Sequence, residues 1–425
     1  MLNKQKQIPG GWKEIKVGEA FEFLRTYAFS RSNLTNQKLN RDSIGNIHYG
    51  DIHSTYKSTK ISLEEQVIPI INNKDFAPGE EDLLKDGDIV MADASEDYDG
   101  IGIAISIHQT QKNKVVGGLH TYVLRDNLGV TSEYFRQYIF RNLHVRKELK
   151  KKATGVSVLG ISKNNLFKIK LVLPPLSEQN SIVKVLETWD SYLEKLEEKI
   201  EIKKKIKKGL MQQLLTGRKR LKGFNRKWQE ITLKEVTERV KRKNTENNQN
   251  ILTISAQMGL INQLAFFNKK VSANNLQNYT LLHSDDFVYN KSYSKGYPMG
   301  AIKRLKFYNK GVVSSLYIAF VAKNNINLQF LDYCFDCGLY NNQIARFAQE
   351  GARNHGLLNI AINDFFNGHL NVPSGIKEQT AIANILTTAD EEIEILNKQK
   401  EKIEDQKKYL LNNLITGKIR VPKNE

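Results

Sequence analysis

Two stretches of the chain keep one apolar stripe for longer than a globular helix needs. From Ile182 apolar residues recur at Leu186, Trp189, Leu193, Leu196 and Ile200, and after Lys203 and Lys207 the register resumes at Leu210 and Leu214. From Ile382 they recur at Leu386, Ala389, Ile393 and Leu396; Lys400 interrupts, and Ile403, Lys407, Leu410 and Leu414 keep the register. This 4-3-4-3 spacing is a heptad seam sustained for about five heptads. No proline lies inside either stretch. Each runs from a proline-marked strand end ("LVLPPLSEQ", "LNVPSGIKEQ") to a glycine suited to a left-handed cap, Gly217 or Gly417. The pattern predicts helices over residues 178–215 and 378–415, each about 58 Å long at 1.5 Å per residue.

Two such seams suit each other if they run antiparallel. Pairing Ile182 with Leu414 sets Ile200 on Leu396 and Leu193 on Ile403. Each seam lysine then faces an apolar residue, along which its stem lies while the ammonium reaches water. The two stretches are also copies. Sliding the chain by 200 residues, 16 of the 43 positions from 178 to 220 match 378 to 420, including Glu178/Glu378, Gln179/Gln379, Asp190/Asp390, Lys207/Lys407 and Thr216–Gly217/Thr416–Gly417.

Shorter echoes precede each helix. "WKEIKVGEA" from Trp12 resembles "WQEITLKEV" from Trp228, and "KDGDIVMADAS" around Asp88 resembles "HSDDFVYNKSY" around Asp286. "VVGGLHTYV" resembles "VVSSLYIAF", and "ISKNNLFKIKLVLP" resembles "IAINDFFNGHLNVP". The pair around Asp88 and Asp286 reads as an alternating strand leaving a turn. The chain therefore reads as α+β, a tandem duplication of a globule followed by a long helix, the two helices pairing as an antiparallel coiled coil. The expected divisions are residues 1–176, 177–222, 223–375 and 376–425. The helices stayed alike while the globules diverged, as expected of one scaffold holding two different reading heads.

Charge adds what those heads meet. The 425 residues carry a net charge of +18, which favours a polyanionic partner, nucleic acid above all. Both globules stay basic, at +5 for residues 1–177 and +8 for 223–376. Two cysteines form no disulfide framework, and the first dozen residues carry no apolar signal segment, so a reducing cytoplasm is expected.

Catalytic motifs are missing. "LPPL" at 173–176 lacks the polar first residue and the aromatic of an adenine-methyltransferase loop, "GIGIAI" from Gly100 lacks a cofactor loop's third glycine, and no Walker A sequence occurs. "CFDC" at 334–337 sits in an amphipathic helix pattern and reads as two buried thiols rather than a zinc or redox site. No nuclease triad is evident, so the chain reads as a binder. Groove readout needs donors on loops. In the first globule "FSRSNLTNQ" and "NIHYGDIHSTYKSTK" offer Arg31, Asn36, Gln37, Tyr49, His53, Tyr56 and Lys57, and "GGLHTY" offers His120 and Thr121. In the second, "RVKRKN" offers Arg239, Lys241, Arg242 and Lys243. "YNKSYSKGYPMGAIKR" offers Lys291, Ser292, Tyr293, Lys295, Tyr297 and Arg304, and "EGARNHG" offers Arg353, Asn354 and His355.

The whole chain resembles the specificity subunits of type I restriction-modification systems. The carriers are the paired globule starts, "GDIVMADASEDYDGIG", "GLHTYVLR", "YNKSYSKGYPMG", the helix starts "LPPLSEQ" and "VPSGIKEQ", and the helix ends "LLTG" and "LITG". The second helix start departs from the first, with one extra residue before Glu378. The resemblance implies two target recognition domains, each reading half of a split double-stranded DNA sequence. It implies two helical regions that space them and dock two methyltransferase subunits, in a pseudo-twofold frame. S-adenosylmethionine would sit on those subunits, ATP and magnesium on restriction subunits, and no cofactor or metal on this chain. Two other classes compete: a stand-alone DNA enzyme, and a coiled-coil transcriptional or architectural DNA binder, whose two halves would be expected to carry near-identical recognition elements.

Overall fold

The computed structural model describes residues 8–421 apart from 38, 41, 57, 74, 111–112, 256–257, 268–275, 293–295 and 351–357. Both long helices form, over Leu176–Leu214 and Ile376–Leu414, two residues earlier at the start than the spacing predicts and one earlier at the end. Each stops where the next glycine takes a left-handed backbone, φ +70° at Gly217 and +68° at Gly417. That turn lets Lys219 N–H reach the Gln213 carbonyl (3.1 Å) and Ile419 N–H reach that of Asn413 (3.2 Å).

The compact units are not the halves of the sequence. One unit contains residues 1–196 and 399–425, the other 197–398. Each long helix thus gives its first part to the unit of the globule before it and its last part to the other unit. Within the first unit Asp190 pairs with Lys407; within the second, Lys207 meets Asp390 at 2.5 Å and Lys203 meets Glu392 at 2.6 Å. These ion pairs require antiparallel segments in each unit. They lie close to the predicted register, in which position 190 faces 406 and position 207 faces 389. The seam residues follow: Ile182, Leu186, Leu196, Ile200, Leu214, Ile382, Leu386, Leu396 and Leu414 are buried, and Trp189, Leu193, Leu210, Ile393, Ile403 and Leu410 are half-buried.

The two cores use the same helix positions. In the first unit Ile182, Val183, Leu186, Leu411, Leu414 and Ile415 close a core around Trp12, Phe135, Tyr138 and Leu149. In the second, Ile382, Ala383, Leu386, Met211, Leu214 and Leu215 close one around Phe287, Phe320, Phe330 and Phe365. Each globule is built on a short sheet. In the first unit five strands run in the order Glu22–Leu24, Thr121–Arg125, Ile89–Ala92, Ala104–His108, Lys60–Ser62, antiparallel except for the last pair. The second has four antiparallel strands, Thr237–Arg239, Ile318–Ala322, Phe287–Asn290, Ala301–Arg304.

The recurring motifs meet at the helix ends. The strand Lys13–Lys16 pairs with Lys170–Leu173, and Trp228–Thr232 with His369–Pro373, which carries each tryptophan to the start of the following helix. Trp12 Nε1–H donates to Glu178 (3.1 Å), and the Arg420 guanidinium donates to both oxygens of the same carboxylate (2.6 and 2.7 Å) while lying over the Trp12 ring. Trp228 Nε1–H likewise donates to Glu378 (3.3 Å), which Arg220 grips at 2.7 and 2.8 Å while lying over Trp228. The next residue anchors the globule. Gln179 accepts from Ser132 N–H (2.7 Å) and donates to the Pro174 carbonyl; Gln379 accepts from Asn327 N–H (2.8 Å) and donates to that of Pro373.

Candidate nucleic-acid interface

Each globule turns into its central strand through a buried aspartate. Asp88 accepts from Lys85 N–H and Asp286 from His283 N–H, both at 2.7 Å, which fixes the turn. Burial raises both carboxyl pKa values, and an arginine opposes that by holding the ionised form. Arg125, on a neighbouring strand, does so for Asp88 (3.0 and 2.6 Å), and Arg242 does so for Asp286. Arg242 was a groove candidate from its basic cluster; its guanidinium, partly exposed, is engaged by buried Asp286.

In the first unit four candidates converge. The helix Tyr49–Ser54 starts with a reciprocal cap: His48 Nδ1 accepts from Gly50 N–H (3.1 Å) and Asp51 accepts from His48 N–H (3.1 Å). Arg31 is held against that start by Asp51 (2.6 Å). The Tyr49 ring makes edge contacts with His53 and His120, 6.0 and 5.4 Å between ring centres. His53 Nε2 lies 2.9 Å from the Ala94 carbonyl, and exposed His120 is 3.2 Å from Asp93. A groove of about 410 Å3 opens beside them, lined in part by Arg25, Asp93, His120 and Lys163. Asn36 and Gln37 are exposed just beyond the strand Leu34–Thr35. Two candidates are withdrawn. Tyr56 is buried in an apolar cluster, and Thr121 is buried with its hydroxyl donating to the Gly118 carbonyl (2.7 Å). Their neighbours in sequence are polar, but the strand pleat turns Thr121 inward, and the chain leaving the helix Tyr49–Ser54, with Tyr56 N–H donating to the Asp51 carbonyl (3.0 Å), turns Tyr56 inward.

In the second unit Arg239 and Lys241 are exposed and share a groove of about 570 Å3 with Lys234 and Lys323; Glu238 is its one acid among the lining residues. Lys243 is exposed beyond it. The strands Phe287–Asn290 and Ala301–Arg304 bracket the candidate segment from Lys291 and pair as a hairpin. Lys291, half-buried, donates to the Ile360 carbonyl (3.2 Å); Ser292 N–H donates to Asn290 Oδ1 (3.0 Å); Tyr297 is half-buried with Lys303 over its ring. Arg304 is withdrawn. Its side chain is 11% exposed, donates to Gln329 (2.6 Å) and faces Asp332 (3.5 Å) and Asp285 (3.7 Å), so it supports the hairpin from inside. Lys57, Tyr293, Lys295, Arg353, Asn354 and His355 lie outside the described residues.

Sequence reasoning missed Lys234 and Lys323, which only the sheet brings to Arg239. It also passed over Arg220 and Arg420; both are among the 16 repeated identities, and that was the available signal. Ser106, His108 and Glu133 form an arrangement no motif announced. Ser106 Oγ is 3.1 Å from His108 Nε2, and His108 Nδ1 is 3.0 Å from Glu133. The spacing is that of a nucleophile, base and acid, yet Ser106 is fully buried on its strand, which closes it to a substrate. Cys334 is fully buried and Cys337 half-buried on and just after the helix Leu328–Asp336; burial pushes both thiol pKa values up, so neither is a ready thiolate.

Residues 9–207 match the family model described as the type I restriction modification DNA specificity domain. The chain is 27% identical over 450 residues to the type I restriction enzyme MjaVIII specificity subunit of Methanocaldococcus jannaschii, covering 98% of this chain and 94% of that one. It is 26% identical to the putative MjaX specificity subunit of the same organism, covering 98% and 95%. Among solved structures, the HsdS subunit from Thermoanaerobacter tengcongensis aligns with TM-score 0.50 at 16% identity over 99% of this chain and all of that one. A chain from a type I R-M system, solved to describe complex assembly and conformational transition, aligns with TM-score 0.57 at 14% identity over 97% of this chain and all of that one. The fold of the whole chain is shared with both.

Proposed function

We propose that this chain is a specificity subunit of the type I restriction-modification family and that it reads two different half-sites of one split DNA sequence, one with each globule. The observation that carries this is where the duplication kept its residues and where it changed them. Trp12, Glu178, Gln179, Asp190 and Arg420 have identical counterparts in Trp228, Glu378, Gln379, Asp390 and Arg220, all engaged in holding globule to helix. The surface residues differ: the histidine and tyrosine cluster of the first unit has no copy at the matching second-unit positions, and the second carries the wider basic groove. A coiled-coil architectural protein with two like readers would keep both surfaces alike.

The chain acts without catalysing. The methyltransferase partners bring S-adenosylmethionine and modify adenine; restriction partners bring ATP and magnesium. Among the described residues no cluster of His, Cys, Asp or Glu is arranged to hold a metal, and no helix is long and apolar enough to cross a membrane. Two methyltransferase subunits dock on the long helices, which leave Tyr192 and Tyr409 exposed in the first unit and Ile202, Ile206 and Ile395 in the second. The complex works on DNA in the cytoplasm. The test is to replace residues 228–370 with the corresponding segment of another such subunit and sequence the methylome. One half of the methylated sequence should change. A change in both halves, or in neither, would contradict split reading.

A further inference from the structure

Positions 93 and 291 are one place in the repeat. Each ends the run that begins at the buried turn aspartate, Asp88 or Asp286, and each holds the returning chain through its carbonyl. That carbonyl accepts from Ile161 N–H (2.9 Å) in the first unit and from Leu358 N–H (3.0 Å) in the second. The charge there is inverted. Asp93 is matched by His120, whereas Lys291 lies beside Arg239. The strands correspond as well. Phe23 pairs with Leu124, and Leu124 with Ile89; Arg239 pairs with Phe320, and Phe320 with Phe287. Where the second unit has Lys234, Arg239 and Lys241, the first has Gly18, Phe23 and Arg25. Phe23 is packed against Tyr122 and Phe167, with Lys163 over its ring.

The second-unit groove is therefore a concentration of positive charge without its counterpart. Lys234, Arg239 and Lys241 make no ion pair among the described residues, and Lys323 donates to the carbonyls of Lys234 and Glu235. Lys234, Arg239, Lys241 and Lys323 line one groove, where like charges repel each other and an anion would relieve that. Asn363 and Asn367 line the same space and add neutral donors. Phosphate contacts of this kind fix the register of a protein on a duplex and carry no base information. We propose that the groove walled by Lys234, Arg239 and Lys241 holds a phosphodiester of the DNA, a grip that the first unit lacks. This rests on reading the chain as a DNA-specificity subunit.

The test uses the full chain assembled with its methyltransferase partner and two duplexes, one carrying the methylated sequence and one unrelated, titrated over a range of salt. Arg239→Ala/Lys241→Ala should lower the salt slope of binding by roughly 1.8, about 0.9 per charge, for both duplexes, with the methylated sequence unchanged. The charge-keeping Arg239→Lys/Lys241→Arg should retain the parent slope. A parent-like slope in the alanine pair overturns the proposal. So does a loss confined to the cognate duplex, which would make the groove a base reader, or failure to assemble with the methyltransferase, which would make it a protein contact. If the parent complex itself does not distinguish the two duplexes, the specificity reading fails, while the slope difference still reports on the groove.

Discussion

Glu178 and Glu378 show how much one side chain can organise. Each accepts from a tryptophan at the start of the first strand of its globule and from an arginine just past the end of a long helix, so three distant stretches of chain share one carboxylate. Glu378 is 4% exposed at its side chain and Arg220 31%, so the pair is screened only in part. Glu378→Ala leaves Arg220 and the Trp228 indole without their acceptor. Discounted for the arginine's exposure, the loss should be about 2–3 kcal/mol of unfolding free energy in chemical denaturation. Glu378→Gln, which can still accept from Trp228, should lose less; equal stability of all three proteins would deny the cluster its role. His108 gives a pH dependence. Burial lowers its pKa, opposed in part by Glu133, and burial lowers that of His48 too, with Arg31 adding to the effect. Both groups therefore take up a proton more readily when unfolded. Their contribution is full above the unfolded value of about 6.5 and is lost as pH falls through it toward the lower folded value. Unfolding free energy should drop between about pH 7.5 and pH 5.5, and His108→Gln should shrink that drop without abolishing it. An unchanged drop in the variant would place the proton uptake elsewhere.

At the scale of elements, the seam that marks each long helix also explains its lysines. Lys207 and Lys407 interrupt the apolar pattern but are satisfied across the pair by Asp390 and Asp190, and those aspartates also accept from Tyr333 and Tyr138. The aspartate thus ties helix to helix and helix to globule, which accounts for its identity in both copies. The antiparallel register is open to a direct check. Cysteines at Leu193 and Ile403, both half-buried in the first unit, should crosslink efficiently under mild oxidation. Efficient crosslinking of Leu193 to Ile393 instead would mean a parallel pair and would sink the register.

For the whole molecule, the net charge of +18 is not spread evenly over what it could contact. Five arginines are engaged inside the units and add nothing to that net charge: Arg125, Arg242, Arg304, Arg220 and Arg420 all face buried or partly buried acids. What remains free gathers differently in the two units, as aromatic and histidine groups in the first and as the lysine and arginine groove in the second. That difference is what the methylome of the segment-exchanged protein reads out. The frame common to both units should keep one half of the sequence constant while the other changes.

The sequence by itself determined the duplication, the two helices, their seam and the antiparallel register, because a heptad pattern and a 200-residue repeat are written in consecutive positions and need no knowledge of distant contacts. It also carried the resemblance to type I specificity subunits, since motifs at both helix ends and both globule starts recur together. Only the tertiary structure decided which polar residues face outward. Tyr56, Thr121 and Arg304 look like groove residues in their local strings and are turned inward, and Arg242, still partly exposed, is engaged by an acid far along the chain. Lys234, Lys323 and Arg239 belong to different strands and turns, and they become one groove only when the Thr237–Arg239 strand pairs with Ile318–Ala322. Burial and charge pairing are sums over long-range neighbours, and a linear pattern holds the local part of those sums alone.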